Sequence, residues 1–308
     1  MAVELVSGPT LGAAEIDLDE PLTFVRSDGR RQVIRVTRSW ARIHSTDLAE
    51  PRKATPGAST VLRAHVQLDI DGTAVQLVRW IGCDRSFADP WRIAGLELWF
   101  DGNTDLFEHL NDNHGGCRPR KRVRLAVWEA GRRLCPVLLH PWCPLPADGL
   151  RIADCYDGHD SWMGPYFGAD AHGGLDINHP AGTVLHAPLA IHRHRFFAHI
   201  REGAENNRWR GEVDWPDGAM WALQSHHVVE LLVPEGRPLL AGEPYATSAG
   251  MLTGSHEHSH FVWAVRPPGA ADEIRLDPWL LFRQMLRDRA AMVAPRANGI
   301  IGRAEPAL

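Results

Sequence analysis

No stretch of this chain approaches the roughly 20 consecutive apolar residues of a membrane-spanning helix, which excludes that way of sitting in a bilayer. There is no C-x-x-C pair, and the five cysteines, Cys83, Cys117, Cys135, Cys143 and Cys155, are an odd number. A cysteine-built structural zinc site is therefore not expected, and the thiols read as buried side chains with at least one unpaired. Basic residues are outnumbered, 33 Lys and Arg against 38 Asp and Glu for a net charge of −5. That balance gives no footing for binding nucleic acid as a whole. The local exception is the basic run Arg118 to Arg124, expected as a solvated strand face that an acidic polymer surface could use. Met1 to Gly8 has neither a basic n-region nor a sustained apolar h-region, so no signal peptide is expected. No internal repeat is evident.

What is present suits two modest domains, since 308 residues at 44% apolar supply ample material for buried cores. Residues 1–147 alternate apolar and polar positions in short runs. Val66 to Ile70, an Asp71-Gly72 turn and Val75 to Val78 predict a β-hairpin. Lys121 to Leu134 predicts a second hairpin about Glu129-Ala130-Gly131, and Asp105 to Leu110 a short helix. This first region reads as mainly β, a sandwich of no recognised family. Four prolines, Pro136, Pro141, Pro144 and Pro146, then crowd Trp142-Cys143 and mark a linker or domain seam. Near the end, Asp277 is a good N-cap, Pro278 fits the first helical position, and Trp279, Phe282 and Leu286 share a face. A helix over 277–292 should pack back on the body, within a terminal region 275–308 whose last residues, from Pro295, are loosely held.

Two motifs carry chemistry. The first is His172-Gly173-Gly174-Leu175-Asp176, and the second, 82 residues after that aspartate, is His258-Ser259-His260-Phe261. On an extended strand residues i and i+4 lie about 13 Å apart, so His172 and Asp176 can grip one ion only if the backbone turns between them. Gly173 and Gly174 allow such a turn, because glycine accepts positive φ without steric cost. His258 and His260 would share a strand face roughly 7 Å apart, so that one binds the metal while the other stands beside it. Two imidazoles and one carboxylate leave a fourth position of zinc open, the pattern of a catalytic site.

The first motif continues as Asp176-Ile177-Asn178-His179-Pro180-Ala181-Gly182-Thr183-Val184-Leu185-His186-Ala187-Pro188. Over residues 155–268 the chain resembles the lysostaphin or LytM-type zinc metalloendopeptidases, whose signatures are H-x-G-x-D, a Gly-Thr pair before a strand ending in Ala-Pro, and a late H-x-H-F. His227, 31 residues before His258, falls where that family places a further histidine. The resemblance implies an antiparallel β metallopeptidase domain holding one zinc ion through His172, Asp176 and His260. His227 and His258 would then handle the water and the developing oxyanion. It implies amide hydrolysis of peptide or peptidoglycan cross-links and an extracytoplasmic setting; on that reading the first domain is expected to position substrate or occlude the cleft. A non-catalytic member that binds metal or wall polymer is the second function class.

Some positions depart from the pattern. Ser225 stands where the family often has tyrosine, and His226 and His227 are adjacent, so either could be the middle histidine while strand alternation would send them to opposite faces. Tyr166 could reach an oxyanion or serve as a rim aromatic. His192 and His194 form another same-face pair, expected as a solvated strand edge. Substrate choice would depend on loops near Trp162, Asn206 to Trp209 and Met251. Finally, His256-Glu257-His258-Ser259-His260 satisfies H-E-x-x-H, the zincin signature, which would use His256, Glu257 and His260 and requires a helix. The alternating large residues from Phe261 to Val265 predict a strand instead.

Overall fold

The computed structural model describes residues 3–48, 59–111, 113–166, 168–199, 206–250 and 257–293. The first ten strands are β1 (Val3–Val6), β2 (Gly12–Ile16), β3 (Pro21–Val25), β4 (Arg31–Thr46), β5 (Thr60–Ile70), β6 (Thr73–Ile81), β7 (Trp91–Ile93), β8 (Leu96–Asn103), β9 (Asn113–His114) and β10 (Val123–Glu129). Five of them form a sheet in the order β1-β3-β4-β5-β6, and four form a second, β2-β10-β8-β7. The inward residues of β5, Leu62, Ala64, Val66 and Leu68, alternate with more exposed ones and meet Leu98, Phe100, Leu125 and Val127 of the second sheet in one core. This is the sandwich expected of the region. The β5–β6 hairpin turns at Asp71 and Gly72, both at positive φ, as its Asp-Gly pair requires.

β8 and β10 are buried along their whole length, because both faces of their sheet are covered. Trp99, Ala126 and Trp128 turn away from the sandwich core and join a second core built mostly from later residues. β10 is also hydrogen-bonded on both edges, by β2 and by β8. The second hairpin therefore does not form. The chain does turn after Glu129, but no edge is left for a returning strand, and the Leu134 carbonyl instead accepts from the Leu11 amide. The short helix near residue 105 is a 3-10 turn, Thr104–Glu108. The basic run is largely neutralised: Arg120 pairs with Glu15, Lys121 with Glu20, Arg122 with Asp105, and buried Arg124 with Glu15 and Asp101. Within the proline-rich stretch expected as a linker or domain seam, the central tryptophan is part of the core. Trp142 is fully buried, donates from Nε1 to the Tyr245 phenol at 2.8 Å, and packs against both Phe261 and Phe282.

The later strands are β11 (Ala171–His172), β12 (Leu175–Asn178), β13 (Val184–His186), β14 (Arg193–Phe197), β15 (Arg208–Asp214), β16 (Met220–His226), β17 (Val228–Leu231), β18 (Pro244–Ser248), β19 (His258–Arg266) and β20 (Ile274–Leu276). An antiparallel sheet runs β12-β19-β16-β15-β14 with β20 also on β19, and a smaller one runs β13-β18-β17. Trp209, Trp221, Trp263, Tyr245 and Leu185 fill the space between them. Helix α1 (Trp279–Val293) closes this core with Leu280, Leu281, Phe282 and Met285. Asp277 caps it, accepting from the Trp279 amide at 2.8 Å, and its other oxygen pairs with buried Arg79 of β6. The chain is thus mainly β with several antiparallel sheets and a C-terminal helix. All five thiols are free, four of them buried, and burial pushes Cys117 up to about 12. The expected tail from Pro295 lies outside the described residues.

Candidate metal centre

Strand pairing brings the two motifs together. β12 and β19 run antiparallel with Asp176 directly opposite His260 and Asn178 opposite His258. Cross-strand partners have Cβ atoms about 5 Å apart, so a carboxylate and an imidazole 84 positions apart in sequence become neighbours. His172 arrives from β11, which pairs in parallel with β9 of the sandwich region, His172 against His114.

The glycines between His172 and Asp176 have a different purpose from the one their sequence suggests. Neither Gly173 nor Gly174 has positive φ; each is small because something lies against it. A Cβ on Gly174 would sit 2.0 Å from Cε1 of His260, and one on Gly173 would sit 2.7 Å from the Gly115 carbonyl oxygen. Close approach, rather than handedness, demands glycine here.

The donor atoms of His172, Asp176 and His260 all lie within 4.8 Å of one another, and all three side chains are buried. Asp176 Oδ1 is 2.8 Å from His260 Nδ1 and 3.8 Å from His172 Nε2. Around a tetrahedral zinc at 2.0–2.1 Å, neighbouring donors are about 3.3 Å apart, between those two values. Protonation also suits a cation. Burial lowers His172, and lowers His260 to about 4, so both imidazoles are neutral at neutral pH with lone pairs available. Burial alone would raise Asp176, but His172, His258 and His260 outweigh it and hold the carboxylate well below its ordinary value. A buried anion flanked by neutral imidazoles is a donor set that zinc fits.

The remaining histidines gather beside it. His258 Nε2 lies 3.3 Å from Asp176 Oδ2, and its ring meets those of Tyr156 and His227, with centroids 4.7 and 4.8 Å away. His226 packs on His260 at 4.4 Å. Both adjacent histidines therefore reach the cluster. The expectation of opposite faces fails because β16 ends at His226, and His227 turns into the left-handed region at φ 62°. Tyr166 stacks on His172, rings 4.6 Å apart and 18° from parallel. Ser225 bonds the buried Tyr245 hydroxyl at 2.8 Å, so no free phenol stands at that position.

Other expectations divide. His192 is exposed, whereas His194 is buried because its Nδ1 accepts from Trp209 Nε1 at 3.2 Å. Trp162 and Trp209 are core residues rather than loop-tip contacts, and Met251 lies outside the described residues. For the zincin signature, His258 and His260 stand on a strand, and the Glu257 carboxylate accepts from the Ala181 amide at 2.9 Å. The helix it needs is absent there, and His256 lies outside the described residues.

Sequence reasoning missed two contributors. Tyr156 carried no motif of its own. Asp160 had no signal at all, yet it is fully buried with Oδ2 2.8 Å from Nδ1 of His172, the nitrogen facing away from Asp176.

No protein-family model and no curated protein matches this chain. Solved structures do. The catalytic domain of the antimicrobial peptidase lysostaphin from Staphylococcus simulans matches at 18% identity over 40% of this chain and 87% of that one, with a TM-score of 0.30. A putative peptidase M23 from Pseudomonas aeruginosa matches at 13% identity over 90% of this chain and 96% of that one, with a TM-score of 0.30. A zinc-containing peptidase from Vibrio cholerae matches at 11% identity over 88% and 86%, with a TM-score of 0.33. In its motifs and in these matches alike, the chain is similar to peptidases of the lysostaphin, LytM and M23 type.

Proposed function

We propose that the protein is a zinc-dependent metalloendopeptidase acting on peptide bonds, with the peptide cross-links of peptidoglycan as its substrate class. The observation that carries this reading is the buried convergence of His172, Asp176 and His260 with two further histidines, His227 and His258, beside them.

His172, Asp176 and His260 would hold the ion. Zinc bound there supplies a Lewis acid for a carbonyl oxygen and acidifies water. The chain's own residues do the rest. Asp176 contributes one oxygen to the donor cluster and turns the other to His258 Nε2, which fixes that ring's orientation. His258 and His227, edge to face at 4.8 Å, form the pair through which a proton is taken from water and returned to the leaving amine, the ordinary work of imidazole near neutral pH. Tyr156 and Tyr166 brace His258 and His172 from their outer sides.

The test uses the purified full chain against peptidoglycan and synthetic cross-link peptides, before chelation, after it, and after zinc is returned. Cleavage that follows the metal, with loss of turnover but retained zinc in His258→Ala, is the expected result. Zinc bound without cleavage of any such substrate would move the protein to the non-catalytic class, and absence of stoichiometric zinc would end the reading.

A further inference from the structure

Asp160 is a charged side chain buried beside His172. Its exposure is 0%, and no side chain among the described residues makes a well-aligned hydrogen bond to either carboxylate oxygen. Oδ2 nonetheless lies 2.8 Å from His172 Nδ1, off the direction in which that ring nitrogen would donate. Burying a carboxyl group with so few hydrogen bonds costs stability, which makes its place beside a candidate metal ligand informative.

The segment carrying it is held from the sandwich side. The Gly82 amide, at the end of β6, donates to Ser161 Oγ at 2.9 Å. Trp162 Nε1 donates at 3.0 Å to Asp101 Oδ2 on β8, and the Met163 amide donates to the His172 carbonyl at 3.0 Å. Met163 also seats against Gly102, where a Cβ would come within 2.5 Å of its Cε. Asp160 thus sits at one end of a strap whose anchors belong to the N-terminal region and whose other contact is the backbone of His172 itself.

We infer that Asp160 is a positioning residue that holds the His172 ring by Nδ1 so that Nε2 faces the cation, and that the N-terminal sandwich, through the strap at 160–163, is part of the metal centre. The inference rests on the zinc reading above. Metal-ligating histidines characteristically present their second nitrogen to a carboxylate, which selects the tautomer and strengthens the ligand. Here the strap sets that carboxylate behind His172, and a small ring rotation brings Nδ1–H into line with it.

The experiment is zinc and cobalt titration of the metal-free full chain, with the visible cobalt spectrum as the report on coordination geometry. Asp160→Ala should weaken binding by about 10- to 100-fold and alter the cobalt spectrum. Asp160→Asn keeps an acceptor for Nδ1–H and should recover part of that loss. Metal-free D160N should melt no lower than the parent, since it removes a buried carboxyl group; a merely structural aspartate would show a lower melting temperature with unchanged metal affinity. Trp162→Phe, which loosens the strap away from the donors, should shift affinity in the same direction by a smaller factor. Parental zinc affinity in folded D160A, or in D160N should D160A not fold, overturns the role of Asp160, and parental affinity in W162F removes the sandwich from the centre. A parent chain that binds no zinc overturns both this inference and the proposed function.

Discussion

Asp176 and His260 face each other across two antiparallel strands, with Oδ1 of the carboxylate 2.8 Å from Nδ1 of the imidazole. Register alone sets this contact. A slip of one residue would send every side chain of β12 to the opposite face, so the candidate centre exists only in this pairing. The pairing also explains why Gly174 lies beneath the His260 ring, two residues before Asp176 on the same approach.

Gly174→Ala should fold and lose metal. Its Cβ would fall 2.0 Å from His260 Cε1, and the ring can escape only by abandoning the position in which Nδ1 meets Asp176. Overpacking of this kind costs about 1–3 kcal/mol. Thermal melts of the metal-free protein should show a modest drop, while zinc stoichiometry falls far below one; full zinc occupancy in the variant would contradict the geometry.

Acid should destabilise the metal-free protein over a defined window. His260 titrates at about 4 in the folded chain against an ordinary 6.5, so between those values the unfolded chain binds the extra proton. Stability therefore rises with pH from about 4 to 6.5, is fully present above 6.5, and is lost as pH falls through the window. The single group accounts for on the order of 3 kcal/mol. Denaturant melts of chelated protein across pH 4 to 7 should show that slope, and His260→Gln should reduce it, His172 and His226 keeping a remainder of the same sign because burial lowers them too.

The adjacent histidines should separate by phenotype. His227→Ala is expected to retain zinc and lose about 10²- to 10⁴-fold in turnover, the usual contribution of a general acid or base. His226→Ala should lose zinc affinity first, because His226 packs on His260 at 4.4 Å. Metal content and kcat measured on both variants check the assignment, and the reverse pattern would exchange the two roles.

Asp277→Ala should cost about 3–5 kcal/mol in chemical denaturation. The change removes the cap of α1 and leaves Arg79, 1% exposed and stacked on Trp99, without its carboxylate partner. Replacing Arg79 and Asp277 together by apolar residues should recover most of that loss. No recovery would mean that the helix cap, rather than the ion pair, dominates.

Much of this was legible locally. The Asp71-Gly72 turn, the capped helix after Asp277 and the strand character of Phe261 to Val265 follow from propensity and periodicity, which act over a few residues. The hairpin expected after Glu129 failed because β10 had already spent both edges on β2 and β8, a fact of sheet order that no local pattern encodes. The burial of Trp142, inside the stretch read as a linker or domain seam, was hidden for the same kind of reason: its partners Tyr245, Phe261 and Phe282 lie more than a hundred residues away.

The sequence by itself determined which donors are available, two imidazoles and a carboxylate in two short motifs, because ligand chemistry is a property of residue types. Only the tertiary structure decided that they meet, that His226 and His227 both reach them, and that Asp160 stands behind His172. Those relations depend on strand register, on one left-handed residue and on a strap held by a different sheet, and each arises from contacts between residues that are remote along the chain.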